Sequence, residues 1–269
     1  GAVAGILVAG ALVPLVGVGG GLATRTLEGF ESLPVTLRTP LLAQQTVIQD
    51  AEGKTFATLY FQNRINVRLK QVAPVMRRAI VAIEDERFFV HPGVDVRGTV
   101  RGIVSTLTGR QVQGGSTITQ QLVRQTLIAT ATDAAGAAAA TVRTPARKLR
   151  EMRYALALER RFTKSQILER YLNMVYFGAG AYGIEAASRR YFSKQASELT
   201  LAEASTLAGL VQQPVGYNPL EHPQVAEERR ASVLRRMVRL HYVTQAQADV
   251  ASSKHVVDLV HPSSIPNGC

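Results

Sequence analysis

The chain has 269 residues, 46% of them hydrophobic, and a formal net charge of +11, which suits one large domain or a medium-sized domain with appendages. Its single cysteine, Cys269, excludes an internal disulfide and a cysteine-based metal site, and its five histidines lack metal-ligand spacing. With no tryptophan and no nucleic-acid motif, the charge is better explained by an anionic membrane surface or a pyrophosphate ligand than by nucleic acid.

The N-terminal region is uncharged from residue 2 to residue 23, long enough to span a bilayer of about 30 Å. We therefore predict a transmembrane anchor at residues 1–24, with a signal-peptide core as the alternative. Residues 25–71 are predicted to be an extended stalk. Within it, two strand-like segments flank Asp50–Gly53, which indicates a β-hairpin.

A pair of carboxylates, Glu84 and Asp85, follows the apolar helical segment Met76–Ile83. Phe88 and His91 lie four and seven residues after Glu84, so the three side chains align if the helix holds that far. Because Pro92 disfavours a helical conformation at His91, we predict that the helix ends there. A carboxylate at a helix end beside an aromatic ring is suited to act as a general base. The alternative is a surface acidic pair followed by an ordinary turn.

The next segment, residues 96–113, has apolar residues at helical spacing with arginines between them. It could insert its apolar face into a membrane while the arginines reach the headgroups. It could equally be a core helix, and the sequence does not separate the two.

A second polar block begins at Gly114 and Gly115 and continues as a predicted helix. Thr117 and Gln120 have the spacing of a capping box. Gln121 and Arg124 share a helical face with Thr117. A glycine-led helix N-terminus with hydroxyls, amides and an arginine suits an anionic phosphate. The alternative is a well-capped amphipathic helix with a solvated polar side.

A third block contains Arg147, Lys148 and Glu151, which share one helical face. Neighbouring cations favour the ionised carboxylate and can offset negative charge on a leaving group. The alternative is an ordinary intrahelical salt bridge.

The alanine-rich segment before this block, residues 130–145, is predicted to be a loop or a helix extension.

Helices are predicted to dominate from Val72 onward, and the remaining features are local. They are capping boxes at Thr163–Gln166 and Thr200–Glu203, a glycine turn over residues 178–183, an amphipathic helix at Val225–Leu240, and a linker-like tail at residues 246–269.

Taken together and in order, the blocks resemble the peptidoglycan glycosyltransferases, glycosyltransferase family 51, which occur as monofunctional enzymes and as the N-terminal module of class A penicillin-binding proteins. The resemblance covers roughly Val35 to Arg239. The pattern E-D-x-x-F-x-x-H-x-G-x-D is met by Glu84, Asp85, Phe88, His91, Gly93 and Asp95; G-G-S-T-I-T-Q-Q-L by Gly114–Leu122; R-K-x-x-E by Arg147, Lys148 and Glu151; and K-x-x-I-L-x-x-Y-L-N by Lys164, Ile167, Leu168, Tyr171, Leu172 and Asn173.

This resemblance implies a mainly α fold: a lysozyme-like helical glycosyltransferase domain at residues 72–245, preceded by a transmembrane helix and a short β-hairpin stalk. Residues 96–113 would be a jaw that dips into the outer leaflet. The catalytic domain would lie on the extracytoplasmic face of the cytoplasmic membrane, held by a single span.

The implied reaction polymerises lipid II into β-1,4 glycan strands with inversion and releases undecaprenyl diphosphate. Glu84 would be the base, Asp85 would orient it, and Glu151 would support the leaving-group side. The resemblance assigns substrate and diphosphate binding to Thr117, Gln120, Gln121, Arg124, Arg147, Lys148, Lys164, Phe88, His91 and Asn173. Arg124 stands where the family commonly has lysine, and it offers a planar fork in place of a point charge.

No cofactor and no protein metal site is expected, although Mg²⁺ or Mn²⁺ could bridge the substrate diphosphate. The implied partners are lipid II, lipid-linked glycan, membrane lipids, other cell-wall synthesis proteins and a C-terminal transpeptidase domain absent from this sequence, but no nucleic acid. The antibiotic moenomycin would be an inhibitor. Two other interpretations are a lysozyme-like muramidase and a catalytically silent, membrane-anchored scaffold that binds precursors.

Overall fold

The computed structural model describes residues 40, 42–98, 115–142 and 144–263. The predicted anchor at residues 1–24 and most of the predicted jaw at residues 96–113 lie outside the described residues. No helix in the described part of the chain combines the length and apolar character needed to cross a bilayer.

The described chain is mainly helical, as predicted. The strands are β1 (Thr46–Gln49), β2 (Thr55–Leu59), β3 (Asn63–Arg64) and β4 (Ala181–Tyr182). The α-helices are α1 (Pro74–Glu84), α2 (Ile118–Ala129), α3 (Ala134–Thr141), α4 (Pro145–Arg161), α5 (Lys164–Met174), α6 (Ile184–Phe192), α7 (Leu201–Leu210), α8 (Pro223–Arg239), α9 (Gln245–Ser252) and α10 (Val256–Leu259).

Contacts divide the chain into two compact units. Of the described residues, 40 and 87–167 belong to the first unit, and 42–86 and 168–263 belong to the second. In the first unit, α2 packs against α4 through Val123, Tyr154 and Ala155. In the second unit, α1 packs against α7 and α8, which also contact each other.

The predicted hairpin is confirmed. Strands β1 and β2 pair antiparallel, with Thr46 opposite Leu59 and Ile48 opposite Ala57. Gly53 takes a φ of +80° in the turn, a conformation that glycine adopts without steric cost. Ala57 is the only buried residue of β1 and β2, so the hairpin makes little core of its own.

The first helix ends earlier than predicted. Helix α1 stops at Glu84, since Asp85 has non-helical backbone angles (φ −160°, ψ 77°), and the prediction that it continues to His91 is wrong. The chain instead turns over residues 86–90, where Val90 N–H donates to Arg87 O at 2.8 Å. The turn lets Phe88 become fully buried, which outweighs the helical propensity of a short polar segment.

The alanine-rich segment is neither a loop nor an extension of α2. Helix α2 is followed by a break, and α3 begins afresh with Asp133 as N-cap, whose carboxylate accepts from Gly136 N–H at 2.7 Å. Capping of this kind satisfies an amide that the first helical turn leaves without a backbone partner.

Of the predicted linker-like tail, residues 246–269, the described part ends at Ser263, and this part is folded. Helix α9 buries Ala248 and Ala251 against Ala202 and Leu234. Beyond α10, the backbone N–H of His261 donates to Tyr191 O at 2.9 Å, and Ser193 Oγ donates to His261 O at 2.7 Å. The apolar spacing within α9 explains this difference, since it supplies a face that needs burial.

Candidate active site

The second and third sequence blocks meet at Lys148 in the first unit. The ammonium of Lys148 donates to Ser116 Oγ at 2.7 Å and to Gln120 Oε1 at 2.8 Å. It also lies 3.7 Å from Oε2 of Glu151. One cation therefore connects the N-terminus of α2 to the first turns of α4, although the blocks are about thirty residues apart.

We call Lys148, Arg147 and Glu151 the cationic centre. Glu151 is its buried carboxylate, with a relative exposure of 2%. Arg147 Nη1 donates to Oε1 of Glu151, and Arg147 Nε donates to Val142 O. The shared helical face predicted for Arg147, Lys148 and Glu151 is confirmed by these two ion pairs. Burial of an isolated carboxylate charge is costly, and the two cations beside Glu151 offset that cost.

The pKa of Lys148 is lowered from its ordinary value to about 8. Burial is the largest cause, because it removes water from the ammonium, and the positive charges of Arg124 and Arg147 lower the pKa further. Glu151 acts in the opposite direction. Arg124, which the sequence analysis placed on the polar face of α2, is thus close enough to Lys148 to influence its protonation.

The N-terminus of α2 has the predicted capping box. Thr117 Oγ1 accepts from Gln120 N–H at 3.1 Å, and Gln120 Oε1 accepts from Thr117 N–H at 3.3 Å. The same hydroxyl donates to Gly93 O at 2.6 Å, so both of its roles are met within the protein. Gln121, predicted to bind the substrate, is half-buried on this helix.

Phe88 and His91 are buried in the first unit, where their rings meet edge to face at 6.5 Å. Lys164 Nζ lies 4.5 Å from the Phe88 ring centroid and donates to His91 O at 2.6 Å. These contacts place Lys164 beside the first motif through packing and hydrogen bonding.

One buried carboxylate of the first unit, Glu159, was missed by the sequence analysis. Its Oε1 accepts from Thr119 Oγ1 at 2.6 Å and from Lys164 Nζ at 2.8 Å. A signal was present, because Glu159 lies two helical turns after Glu151, on the same face of α4. A second acidic residue on the buried face of an arginine-rich helix would have been worth singling out.

The other predicted site residues belong to the second unit. Glu84 is half-buried at the end of α1, and Asp85 is buried with 7% exposure. The Asn173 amide nitrogen donates to Val67 O at 2.8 Å, and its oxygen accepts from Val67 N–H at 2.9 Å. Asn173 thereby fixes the segment around Val67, which precedes α1 in the chain. Among the described residues, no three His, Cys, Asp or Glu side chains are grouped to hold a metal ion.

A sequence profile of the family described as Transglycosylase matches residues 52–238, more than half of the chain. This chain belongs to that family, the peptidoglycan glycosyltransferases indicated by its motifs. It is 41% identical to penicillin-binding protein 1A of Aquifex aeolicus over 78% of this chain and 28% of that protein. With penicillin-binding protein 1A of Escherichia coli the identity is 38%, over 86% of this chain and 26% of that protein.

A Cupriavidus necator protein described as a transglycosylase is 41% identical over 64% of this chain and 70% of its own length. The chain thus spans less than a third of these two penicillin-binding proteins but most of this shorter relative. A crystal structure of penicillin-binding protein 1A from Haemophilus influenzae aligns with 84% of this chain and 22% of that chain at 23% identity, with a TM-score of 0.46.

Proposed function

We propose that the chain polymerises lipid II into β-1,4-linked glycan and releases undecaprenyl diphosphate. The observation that carries this proposal is the cationic centre at Lys148, which joins two motifs of the family around a buried carboxylate. A diphosphate leaving group needs such charges, since its negative charge grows as its bond to the sugar breaks.

In the proposed step, the 4-hydroxyl oxygen of N-acetylglucosamine attacks C1 of N-acetylmuramic acid, and the hydroxyl proton passes to Glu84. The C1–oxygen bond breaks, and its electron pair leaves with the diphosphate. Lys148 and Arg147 would steady that charge, with Arg124 nearby. Attack on the face opposite the leaving group gives the inverted β-linkage, as in inverting hydrolases that use water.

Glu151 would keep the two cations oriented toward the leaving group, since it accepts from Arg147 and lies beside Lys148. Gln120 would fix the Lys148 ammonium from the other side. Mg²⁺ or Mn²⁺ at the substrate diphosphate would supply further positive charge to the leaving group.

A membrane location for this activity is a further part of the proposal. A lipid-linked substrate requires the active site to reach a membrane surface, and the uncharged N-terminal residues 2–23 are long enough for an anchor. The two penicillin-binding proteins compared above are more than three times as long as the matched segment, so a transpeptidase domain and other cell-wall synthesis proteins are proposed partners.

The test is polymerisation of purified lipid II, with the glycan resolved on a gel. Wild-type protein should yield long strands, and Glu84→Gln should yield none while it still binds lipid II. Glu52→Gln, in the exposed hairpin turn, is the matched control and should behave as wild type. Glycan made by Glu84→Gln would reject Glu84 as the base, and cleavage of finished glycan by the wild-type protein would favour a muramidase.

A further inference from the structure

Glu159 stands at the junction of segments from all four sequence motifs in the first unit. Its side chain is 8% exposed, and its Oε1 accepts hydrogen bonds from both Thr119 Oγ1 and Lys164 Nζ. Thr119 belongs to the second motif and Lys164 opens the fourth, while Glu159 itself lies on the helix that carries the third.

The first motif reaches the same place through two contacts. The Lys164 ammonium that binds Glu159 also donates to His91 O and lies over the Phe88 ring. Gly93 packs so closely on α4 that a Cβ there would lie 2.8 Å from Glu159 Cγ and 2.8 Å from Ala155 O. The turn at residues 91–93 is therefore seated on the Glu159 side chain and its helix.

The residues that contact Glu159 are connected to the cationic centre through few intervening residues. Thr119 is adjacent in sequence to Gln120, whose Oε1 accepts a hydrogen bond from the Lys148 ammonium. Gly93 O accepts the hydroxyl of Thr117, the N-cap of α2. Thr119 and Gln120 are both almost fully buried, so a shift of one displaces the other within a packed helix.

We infer that Glu159 is a positioning residue, which sets the placement of the α2 N-terminus relative to α4 and thereby the geometry of the Lys148 centre. The inference rests on the proposed function, because the geometry matters for turnover only if Lys148 acts on the leaving group. A misplacement of about 1 Å in a catalytic group can cost about a hundredfold in rate.

The second unit contains a matched control. Glu203 is also a buried carboxylate, and it accepts Lys194 Nζ at 2.7 Å and Thr200 Oγ1 at 2.8 Å. Glu203→Gln thus removes the same charge from the same kind of lysine and threonine partners. It does so in a helix cap that carries none of the proposed site residues.

The experiment measures kcat and KM for lipid II in Glu159→Gln, Glu203→Gln and wild-type protein, well below the unfolding temperature of each. We expect Glu159→Gln to lower kcat about tenfold with KM within about twofold, and Glu203→Gln to leave both unchanged. Equal losses in the two variants, an unchanged kcat in Glu159→Gln, or a rise in KM alone would each overturn the inference.

Two further measurements complete the design. If Glu159→Gln does not fold, Thr119→Val removes one donor at constant shape and should lower kcat in the same selective way. Amide hydrogen exchange needs no activity, and Glu159→Gln should accelerate it at Gln120 and Gln121 while Glu203→Gln does not. Wild-type protein that makes no glycan would refute the proposed function, whereas slow exchange in Glu159→Gln would refute the inference itself.

Discussion

The carboxylate of Glu86 accepts a hydrogen bond from Nη2 of Arg239 at 2.9 Å. Nη1 of Arg236, one turn earlier on α8, lies 3.5 Å from the same oxygen. Both contacts are within the second unit, and they tie the segment immediately after Glu84 and Asp85 to the last turns of α8. The C-terminal end of α1, which carries the proposed base Glu84, is thus held by a helix that is distant in sequence.

This tie should be measurable as a modest contribution to stability. Arg239 is 58% exposed, so we expect Arg239→Gln to lower the free energy of unfolding by no more than about 0.5 kcal/mol. Glu86→Gln leaves two guanidinium groups without their carboxylate and should cost about 1 kcal/mol. Urea unfolding of both single variants and the double variant gives the coupling. Arg235→Gln, exposed on the same helix, is the control and should have no effect.

Lys148 should set the alkaline limit of activity. Its pKa of about 8 means that the ammonium loses its proton as the pH rises through 8, so kcat/KM should fall above that pH. Lys148→Arg keeps a positive charge at every accessible pH and should abolish this alkaline limb, even if its rate is lower. Initial rates at low lipid II concentration from pH 6 to 9.5 provide the measurement. Superimposable alkaline limbs in the two proteins would exclude Lys148 as their origin.

Removal of the Lys148 side chain should have a larger effect at every pH. Lys148→Ala leaves Glu151 with Arg147 alone and takes a cation from the proposed diphosphate site. We expect kcat/KM to fall about a hundredfold, in line with the loss of a charged contact made in the transition state. Unchanged kinetics would reduce Lys148 to a structural ion pair. Lys254→Ala, exposed in the second unit and outside all four sequence motifs, is the control.

The glycine of the first motif is required by close packing. Gly93 has a φ of +87°, and a Cβ there would meet Ala155 O at 2.8 Å. Gly93→Ala should therefore cost about 3 kcal/mol, the sum of backbone strain and overpacking. Gly53→Ala has a similar φ of +80° but nothing within 4 Å, so it should cost only about 1 kcal/mol. Equal losses in thermal unfolding would mean that the backbone conformation alone matters.

A comparison of two N-caps can isolate the bond between Thr117 and Gly93. Thr117→Val removes a cap and leaves the buried carbonyl of Gly93 without its hydroxyl donor, so we expect a loss of about 2–3 kcal/mol. Thr244→Val removes an exposed capping box of the same kind at α9 and should cost about 1 kcal/mol. Chemical denaturation measures both, and a larger loss at Thr244 would contradict this account.

Local features were predictable because a few neighbouring residues decide them. The capping boxes at Thr117, Thr163 and Thr200 and the glycine turn at residues 178–183 all appear where the sequence indicated. The same is true of the face shared by Lys148 and Glu151, which follows from helical periodicity alone.

Features that depend on tertiary packing were not predictable in this way. The proline rule placed the end of α1 near His91, whereas burial of Phe88 required the chain to turn at Asp85. Family motifs listed Lys164 and Asn173 without saying where their side chains point, and both are bound to the protein itself. Glu159 escaped notice since its partner Thr119 lies 40 residues away.

The C-terminal segment has a practical consequence for anyone who produces this domain alone. The family match stops at residue 238, yet α9 and α10 lie beyond it and cover Ala202 and Leu234. A fragment trimmed to the matched region would expose that apolar surface to solvent and should aggregate. Expression boundaries are therefore better set after Ser263, whose hydroxyl and carbonyl both bond to α6.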